Sequence, residues 1–344
     1  MTRLLITGGS GYLGGTLLND LIKISNVEIY ALVRTESQAS TVKNLGVRPV
    51  EFDLMNQATV QNAVEELELT VVLHLANAFS FVPPEAFIRG LAAVKQKTGK
   101  DVHFVHVTSG AKVFSSHTGI KQRLNDTDDV YAIQKTTKSL IPLMQTPVDT
   151  VTSILELGDE LGVRTYVYVP PMVYGPGEGL GNKISIQFVG IVQIGLALRH
   201  IYQVAGDTDE WPLCHLKDIT SLYMALVNSI LEGKDVPHGK KGGYYFGVNG
   251  EFSWKRLYEG IAASLSKRGL VDDAAVAKPS AEDYDKMAQV LGGPKEIVDI
   301  SVAGRCALTG DKGKHLGWVP KYDVSHLYSV IDEEVQFIIE HLKK

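Results

Sequence analysis

Apolar runs and amphipathic stretches alternate through the first half of the chain. The near-continuous apolar runs, which are typical of buried strands, lie at residues 4–7, 27–33, 47–52, 71–75, 102–108 and 165–169. Between them, apolar positions recur at helical spacing in residues 12–21, 57–67, 84–97 and 151–161. Buried strands that alternate with helices form parallel sheets covered on both faces. The pattern therefore predicts an α/β fold of the Rossmann type, with a doubly wound parallel sheet.

The rest of the chain is less regular, and one segment stands out. Residues 110–148 are polar at first and are broken by Pro142 and Pro147. Long irregular insertions in compact domains are usually functional lids or disordered segments. The apolar stretch at residues 184–198 is shorter than a bilayer-spanning helix, and we interpret it as a packed helix.

A glycine-rich turn joins the first predicted strand to the first predicted helix. It satisfies the pattern G-x-G-x-x-G at Gly9, Gly11 and Gly14. Such glycines permit a tight turn and a close backbone approach to a pyrophosphate, and the helix N-terminus adds free N–H groups. The alternative is an ordinary turn of an α/β protein. Because this turn follows a strand and opens a helix, it predicts a dinucleotide site at Gly8, Gly11, Tyr12, Leu13 and Gly14.

The end of the second strand bears on which nicotinamide dinucleotide binds. An NAD site usually places a carboxylate there, on the ribose 2′-hydroxyl. This chain has Arg34 at that place, followed by Glu36 and Ser37. A guanidinium pairs well with a 2′-phosphate, and Ser37 can add a hydroxyl donor. We therefore expect NADP(H), while NAD(H) stays open because a shift of register would make Glu36 the acid.

The end of the third strand carries a second candidate acid. Asp53 either meets the adenine amino group or caps the helix that follows. We include Asp53 and its neighbour Leu54 among the predicted cofactor residues.

Composition narrows the class of protein further. The 344 residues carry a formal net charge of −5, without the basic excess of a nucleic-acid binder. Cys214 and Cys306 lie far apart without metal-ligand spacing, which favours a reducing compartment over a disulfide framework. The N-terminus lacks the apolar region of a signal peptide. We expect a cytoplasmic protein with a small-molecule substrate, no metal, no nucleic-acid or membrane partner and, by base rate, a homodimer.

Several motifs, in order along the chain, resemble the extended short-chain dehydrogenase/reductase family, which includes sugar epimerases, dehydratases and ketone reductases. They lie at residues 7–14, 52–54, 72–76, 105–109, 170–177 and 214–219. Within the family, residues 182–187 and 243–250 look most like an atypical, epimerase/dehydratase-like fungal branch. The resemblance implies an NADP-binding Rossmann domain at residues 1–170 and a smaller C-terminal substrate lobe at residues 171–344. Parts of residues 212–248 are then expected to return to the Rossmann core.

The resemblance also implies roles for residues around the cofactor. Ala76 would line the dinucleotide, and Pro171 and Val173 would border the nicotinamide. Ser109 would hydrogen-bond the substrate oxygen, although Gly110 is the other candidate for that place and would leave no hydroxyl there. A single histidine at a strand end, His215, is interpreted as structural.

The family's chemistry uses a Tyr-x-x-x-Lys pair, in which the tyrosine transfers a proton and the lysine lowers the pKa of that tyrosine. Tyr131 and Lys135 fit this spacing and are the predicted catalytic pair, with Ser109. In the family, however, the pair opens the helix that runs into the sixth strand. That helix is predicted here to begin after Pro147, and the family register puts the tyrosine's place at Leu143. Tyr131 therefore lies either on a separate short helix that still reaches the site or in an unrelated insertion.

These observations leave three functions open. The leading one is an NADP-dependent oxidoreductase that reduces a ketone or aldehyde of a small organic molecule. The second is an epimerase or dehydratase in which the nicotinamide is recycled, and the third is a non-catalytic dinucleotide-binding sensor that has lost the Tyr/Lys pair. Several aromatic residues favour a fairly apolar ligand, although core packing explains them equally well: Phe79, Phe81, Phe114, Tyr174 and Trp211.

Overall fold

Strands and helices alternate through the first half of the chain in a computed structural model, which describes residues 1–342. The strands are β1 (Thr2–Thr7), β2 (Val27–Leu32), β3 (Arg48–Val50), β4 (Val71–His74), β5 (His103–Val107), β6 (Leu124–Asn125), β7 (Arg164–Val169), β8 (Met172–Tyr174), β9 (Ile201–Tyr202), β10 (Glu210–His215), β11 (Tyr244–Phe246), β12 (Glu251–Ser253), β13 (Val276–Ala277) and β14 (Leu308–Thr309). The helices are α1 (Tyr12–Leu21), α2 (Glu36–Asn44), α3 (Gln57–Glu66), α4 (Val82–Thr98), α5 (Val130–Thr136), α6 (Gln145–Leu161), α7 (Gln187–Leu198), α8 (Leu216–Leu231), α9 (Gly239–Gly242), α10 (Trp254–Lys267), α11 (Ala281–Leu291), α12 (Glu296–Val302), α13 (Lys312–His315), α14 (Val324–Ser329) and α15 (Ile331–His341). Short 3-10 helices lie at Gly110–Phe114, Ser116–Thr118 and Pro142–Met144.

The central sheet is parallel and has the strand order β11-β7-β5-β4-β1-β2-β3 within residues 1–342. The order reverses at β1, which pairs with β2 on one side and with β4 on the other, where Thr7 lies opposite His74. Open α/β sheets bind their ligands beyond the carboxyl ends of the strands at such a reversal point. The glycine turn follows β1 directly, so the fold places the turn there. The predicted doubly wound Rossmann sheet is confirmed.

Helices cover both faces of this sheet because its central strands are apolar along their whole length. On one face, α1 and α8 pack together over the sheet, with Leu17, Leu18 and Leu222 buried between them. On the other face, α3, α4 and α6 bury Phe87 and Ile154 against the strands. The core therefore holds the carboxyl edge of the sheet in a fixed position beneath the site.

The second half of the chain both builds a lobe and returns to the sheet. Strand β10 pairs in parallel with β8 and antiparallel with β12, in a small sheet of its own. Helix α8 then packs on α1, and β11 extends the central sheet beside β7, with Tyr244 opposite Val167. The central sheet thus contains strands from both sides of residue 170. The domain boundary expected at residue 170 stays a prediction.

Residues 110–148 are bonded both to β11 of the central sheet and to residues 308–312, which corrects the alternative of a disordered segment. The carboxylate of Asp126 is buried and accepts backbone N–H groups from Phe246 at 3.2 Å, Asp311 at 2.8 Å and Lys312 at 3.2 Å. Strand β6 also pairs with β14, where Leu124 lies opposite Leu308. Three hydrogen bonds to one buried carboxylate fix this segment strongly.

The helix that precedes β7 is longer than the sequence suggests. It starts at Gln145, so the predicted start after Pro147 is wrong. Pro147 lies in the first turn, where an N–H would have no intrahelical partner and its loss costs little. The helix ends immediately before Gly162, as predicted.

Two further properties concern the environment of the chain. Within residues 1–342, no helix is both long and apolar enough to cross a bilayer, and no cluster of three or more His, Cys, Asp or Glu side chains could hold a metal ion. Cys214 and Cys306 are buried free thiols.

Candidate active site

The glycine turn after β1 depends on backbone contacts that side chains would prevent. Gly8 has a left-handed φ of +75°, and a Cβ added there would lie 2.9 Å from the carbonyl of Leu75. A Cβ on Gly14 would lie 2.3 Å from the Gly8 oxygen, which also accepts the Gly11 N–H at 2.9 Å. The turn is therefore compact, and it delivers the chain directly into the start of α1.

The first turn of α1 fits a pyrophosphate. The helix begins at Tyr12 with Gly11 at its N-cap, so the N–H groups of Tyr12 and Leu13 lack intrahelical acceptors. They are available, with the positive end of the helix dipole, to phosphate oxygens. The side chain of Tyr12 has another role, because its buried hydroxyl donates a hydrogen bond to the Gly175 carbonyl. Tyr12 thus joins the first turn of α1 to the loop after β8.

A segment of this loop, residues 177–183, crosses the glycine turn, and we call it the strap. The Asn182 N–H donates to the Ser10 carbonyl at 3.0 Å. A Cβ on Gly181 would lie 2.1 Å from that same oxygen, so the backbones of the strap and the turn are in direct contact and leave no space for a side chain at this position. The strap was not anticipated from the sequence as part of the cofactor site.

A cavity beside the turn has the position and lining expected for the adenosine half of a dinucleotide. It lies between the ends of β1 and β2 and the helix α2, and its walls include Gly9, Ala31, Val33 and Ser37. None of its lining residues, all within the described part of the chain, is acidic. Arg34 follows the lining residue Val33 in the sequence, and its side chain is exposed.

Glu36, the alternative acid, is exposed in the first turn of α2. It is not among the residues that line the cavity described above. Arg34 is likewise absent from that lining, whereas Ser37 is part of it, so the choice between NADP(H) and NAD(H) stays a prediction.

Asp53 and Leu54 lie in the turn after β3. The Asp53 carboxylate is exposed and accepts the Met55 N–H at 2.9 Å. Helix α3 is capped by Asn56, so the alternative in which Asp53 caps this helix is wrong. Leu54 is half-buried and packs against the apolar cluster beneath α3 and α4. A contact of Asp53 with adenine stays a prediction.

The residues predicted around the nicotinamide come from the ends of neighbouring strands. Ala76 follows β4, and its backbone lies next to the glycine turn, 3.1 Å from where a Gly8 Cβ would stand. Pro171 is buried between β7 and β8, and Val173 is half-buried within β8. These residues share the carboxyl edge of the sheet with the turn.

Ser109 follows β5 at the same edge. Its hydroxyl is buried and has no hydrogen-bond partner within residues 1–342. Gly110 has a φ of +80°, and a Cβ there would lie 2.5 Å from the Pro170 carbonyl, which accepts the Ala111 N–H at 2.9 Å. A buried hydroxyl without a partner costs free energy unless a ligand satisfies it. Ser109 is therefore well placed to bind a substrate oxygen.

Tyr131 and Lys135 make their contacts elsewhere. The Tyr131 hydroxyl donates to Glu156 at 2.6 Å, and the Lys135 ammonium pairs with the same carboxylate oxygen at 2.5 Å. Burial and the Glu156 carboxylate raise the pKa of Tyr131 to about 12, the opposite of what proton transfer requires. The Lys240 ammonium lies 5.9 Å from the centre of the Tyr131 ring.

The position of Glu156 locates this pair relative to the sheet. Glu156 lies in the second half of α6, which turns through Gly162 into the start of β7. That half of the helix lies toward the amino ends of the strands, whereas the glycine turn and Ser109 lie at their carboxyl ends. The catalytic role of Tyr131 and Lys135 stays a prediction, and their contacts do not favour it.

One lysine at the carboxyl edge was missed by the sequence analysis. Lys112 lies in the 3-10 helix Gly110–Phe114, three residues after Ser109, and burial lowers its pKa to about 8. The signal in the sequence is weak: a single lysine among Ala111, Val113 and Phe114, directly after a buried strand.

His215 and several aromatic residues have structural roles. His215 is buried, accepts the Lys217 N–H at 3.2 Å to cap α8, and lies with its ring 4.0 Å from that of Tyr322. Burial lowers the pKa of His215 to about 4, which keeps it neutral. The structural interpretation of His215 is thus supported. Three of the five aromatic residues considered as ligand contacts are part of the apolar core: Phe114, Tyr174 and Trp211.

A reversal of strand order with a glycine turn at that point defines a Rossmann-fold protein. Residues 4–237 match the NAD dependent epimerase/dehydratase family, and the chain belongs to this family. The resemblance derived from the motifs is confirmed at the level of the family, while the fungal branch stays a prediction.

Two curated relatives differ in their chemistry. The chain is 22% identical over 303 residues to the oxidase ucsJ of Acremonium sp, covering 83% of this chain and 85% of that protein. It is 36% identical over 74 residues to a 4-hydroxy-2-methyl-3-oxo-4-farnesyl-3,4-dihydroquinoline-1-oxide ketoreductase of Stigmatella aurantiaca, covering 22% of this chain and 21% of that protein.

Solved structures with the same fold include epimerases and a reductase. UDP-glucose 4-epimerase of Thermotoga maritima superposes with a TM-score of 0.63 at 15% identity, over 99% of this chain and 100% of that chain. Vestitone reductase of alfalfa superposes with a TM-score of 0.59 at 16% identity, over 99% of each chain. At these identities the likeness establishes the fold alone.

Proposed function

We propose that the protein is an NADP(H)-dependent oxidoreductase that reduces a ketone or aldehyde of a small, fairly apolar organic molecule. The observation that carries the proposal is the cavity beside the glycine turn, which has Ser37 but no acidic residue in its described lining, together with the exposed Arg34, which follows the lining residue Val33 in the sequence. A guanidinium and the Ser37 hydroxyl would bind a 2′-phosphate, whereas a bare ribose offers them little. The ketoreductase and oxidase among its relatives support redox chemistry on an organic substrate.

The residues present fit the cofactor in two places, and Ser109 would face the substrate. The N–H groups of Tyr12 and Leu13 would hold the pyrophosphate, and the backbone near Ala76 would line its path. The bound cofactor would supply a hydride, and the protein would supply orientation and a proton. The Ser109 hydroxyl would orient the substrate oxygen, since nothing else in residues 1–342 uses it.

A second candidate is a dinucleotide-binding sensor without catalysis. It is favoured by the pairing of both Tyr131 and Lys135 with Glu156, which leaves the family's usual proton donor away from the carboxyl edge. The two candidates share a cofactor site and differ in turnover.

Titration of the purified protein with NADPH and NADH tests the cofactor. We expect NADPH to bind at least ~10-fold more tightly, because hydrogen bonds between charged groups contribute about 1.5–3 kcal/mol. Arg34→Asp should narrow or reverse this gap. Lys43→Asp is the matched control, since it makes the same change of charge at an exposed position in the last turn of α2. Equal affinities in the unmutated protein would contradict the proposal.

The reaction is tested by NADPH oxidation with a panel of ketones and aldehydes, which include aromatic and aliphatic members. Turnover with any member supports the oxidoreductase over the sensor. Tight binding of NADPH with no turnover across the panel favours the sensor.

A further inference from the structure

The two ends of the strap are joined to each other. The Gly177 N–H at its start donates to the Lys183 carbonyl at its end at 2.8 Å. A Cβ on Gly177 would lie 2.8 Å from the Lys183 Cα, so the two backbones are in direct contact. Residues 178–182 therefore form a closed loop. Compact surface loops whose ends meet in this way are frequently functional.

One face of α1 receives the first half of the strap. Gly15, Thr16 and Asn19 lie on this face, since residues three and four apart are neighbours on a helix. A Cβ on Gly179 would lie 2.6 Å from the Gly15 Cα. The Thr16 hydroxyl accepts the Glu178 N–H at 3.1 Å, and the Asn19 amide donates to the Glu178 carbonyl at 2.8 Å. The base of the strap is thus fixed on α1.

This contact explains a glycine that the cofactor motif does not require. Gly15 follows Gly14, the last glycine of the G-x-G-x-x-G pattern, and it lies inside α1. Glycine within a helix is unfavourable relative to alanine. A Cβ on Gly15 would lie 2.9 Å from the Gly179 Cα, so a larger residue would push the strap away. The sequence of α1 therefore suits the strap as well as the turn.

The second half of the strap lies where the two halves of a dinucleotide would join. Its Asn182 N–H donates to the Ser10 carbonyl, and its Leu180 and Gly181 line the cavity beside the turn. Ser10 also lines this cavity and stands two residues before Tyr12, whose N–H is available to a phosphate. The strap is therefore part of the cavity wall, on the side of the pyrophosphate.

Leu180 is the apolar side chain of the strap. It is 46% exposed, and it lines the cavity together with Ala31 and Val33. A single exposed leucine needs no explanation by itself, but ligand sites are lined mainly by apolar side chains. An adenosine in the cavity would cover part of the exposed surface of Leu180 and remove that surface from water.

Few contacts hold the tip of the strap in place. Residues 180–183 are all exposed, and the tip bonds to the turn through the Asn182 N–H. The Glu178 carboxylate pairs with the Lys217 ammonium at 2.9 Å, but both side chains are about half exposed, and such pairs contribute little. Segments with few buried apolar contacts and exposed hydrogen bonds open at low free-energy cost. The tip can therefore lift while the base stays on α1.

We propose that the strap is a lid over the bound dinucleotide, in which Leu180 packs on the adenosine and the tip lifts from Ser10 before the cofactor enters or leaves. The inference rests on the proposed function, because a dinucleotide has to bind in this cavity. A ligand that contacts the closed strap and not the open one shifts the strap toward the closed state. Release of the cofactor then requires the strap to open, so the protein retains its cofactor.

Truncation of Leu180 tests the contact with adenosine. NADPH and NADH are the probes, and calorimetry measures their binding. Leu180→Ala should raise the Kd of the preferred dinucleotide about fivefold, since about half of a leucine side chain loses its contact. Leu231→Ala is the matched control, because it truncates another partly exposed leucine, near Thr2 at the opposite edge of the sheet. Its Kd should match that of the unmutated protein.

Displacement of the strap tests the lid. Stopped-flow measurements of nicotinamide fluorescence follow the binding of the same two probes. In the unmutated protein the observed rate should level off at high dinucleotide concentration, because opening of the strap becomes limiting. Gly179→Ala would put a Cβ 2.6 Å from the Gly15 Cα, so its strap cannot close. In this variant the plateau should disappear, and the dissociation rate should rise at least ~10-fold.

Gly260→Ala is the control for crowding. Its Cβ would also lie 2.6 Å from a neighbouring atom, in this case on the Ile331 side chain between α10 and α15. It should keep both the plateau and the dissociation rate of the unmutated protein. Loss of the plateau in both variants would overturn the lid, because the plateau would then reflect the stability of the fold.

Hydrogen exchange observes the strap without kinetics of binding or turnover. Bound dinucleotide should slow exchange in residues 177–183 at least ~10-fold, because exchange of these N–H groups requires the strap to open. Leu180→Ala should reduce this protection. Equal exchange of the strap with and without bound dinucleotide would overturn the inference.

The remaining outcomes separate the lid from the proposed function. If the unmutated protein binds a dinucleotide, and Leu180→Ala and Gly179→Ala both keep its dissociation rate within about twofold, the lid is overturned. Should Gly179→Ala fail to fold, Leu180→Ala decides, because its exposed side chain lies outside the core. Binding of neither NADPH nor NADH to the unmutated protein overturns the proposed function itself.

Discussion

The glycine turn and the helix of Tyr131 are both short motifs that can be recognised in the sequence, but they differ in what fixes the position of their functional atoms. The turn acts through backbone atoms of consecutive residues, so its geometry follows once β1 and α1 form around it. The Tyr131 motif instead needs side chains of one helix to reach a site built by other elements. Its hydroxyl is bound by Glu156 on α6.

This difference shows when spacing alone is informative. A motif whose functional atoms are neighbours along the chain carries its own geometry. A motif on a helix also depends on where that helix packs in the fold, and its residue spacing does not specify that position. The packing of residues 110–148 is decided by distant partners, of which Asp126 with Phe246 and Asp311 is an example.

The largest expected effect is on stability at low pH, and it compares the two regions directly. Burial lowers the pKa of His74, beside the glycine turn, and of His117, in the Tyr131 segment, to about 4. Between pH 6.5 and 4 the unfolded chain binds protons that the folded protein does not, so the free energy of unfolding falls as the pH falls. Each such histidine contributes about 1.4 kcal/mol per pH unit. Thermal unfolding followed from pH 7 to 4 measures the slope.

The contribution of each region is separated by substitution. His74→Asn, which can keep the hydrogen bond to Thr7, and His117→Asn should each reduce the slope by about one proton. Glu334 acts in the opposite direction: burial raises its pKa to about 7, so it adds stability as the pH falls from 7 toward 4.5. A slope that neither substitution changes would show that both histidines titrate normally.

The second effect tests whether the turn alone determines cofactor binding. Gly14→Ala would put a Cβ 2.3 Å from the Gly8 oxygen, which forces the turn open and displaces the N–H groups of α1. We expect at least ~100-fold weaker binding of NADPH, or about 2.7 kcal/mol. Titration calorimetry measures it.

Gly158→Ala is the matched control for crowding. Its Cβ would lie 2.3 Å from the Thr165 side chain, at the opposite end of β7 from the site. It should lower stability and leave the affinity of the folded protein unchanged. An equal loss of affinity in both variants would mean that the loss reflects instability rather than the geometry of the turn.

The fold was largely predictable from the sequence because each strand and helix of the first half carries its own periodicity. Strands β1 to β5 and β7 lie where the apolar runs predict them. The glycine turn also lies where the sequence predicts it, between β1 and α1, while the cofactor role of Arg34 stays a prediction. Strand β11 joins the sheet at residue 244, and no local pattern in the sequence predicts that this three-residue strand pairs with β7.

The burial of Lys112 could not be predicted in the same way. Lys112 differs from any other lysine in the sequence only through its burial, which depends on the lobe that covers it. The strap is similar, because its contact with Ser10 joins residues that are more than a hundred positions apart. Tertiary contacts of this kind leave no periodic trace in the sequence.

The smallest expected effect is that of Tyr131→Phe, and it bears most directly on the comparison. The substitution keeps the ring and removes the hydroxyl group, which donates a hydrogen bond of 2.6 Å to Glu156. Because Glu156 keeps its ion pair with Lys135 and is partly exposed, we expect a loss of about 1 kcal/mol or less in the free energy of unfolding. Turnover and NADPH affinity should stay within about twofold of the unmutated protein, since Tyr131 lies away from the carboxyl edge.

Glu156→Gln is the control, because it weakens the same contact from the other side and should give a similar loss of stability. If Tyr131→Phe instead lowers kcat ~100-fold with NADPH affinity unchanged, Tyr131 transfers the proton after all. Spacing would then have been a sufficient guide at both motifs, and helix α5 would have to move toward the site when substrate binds.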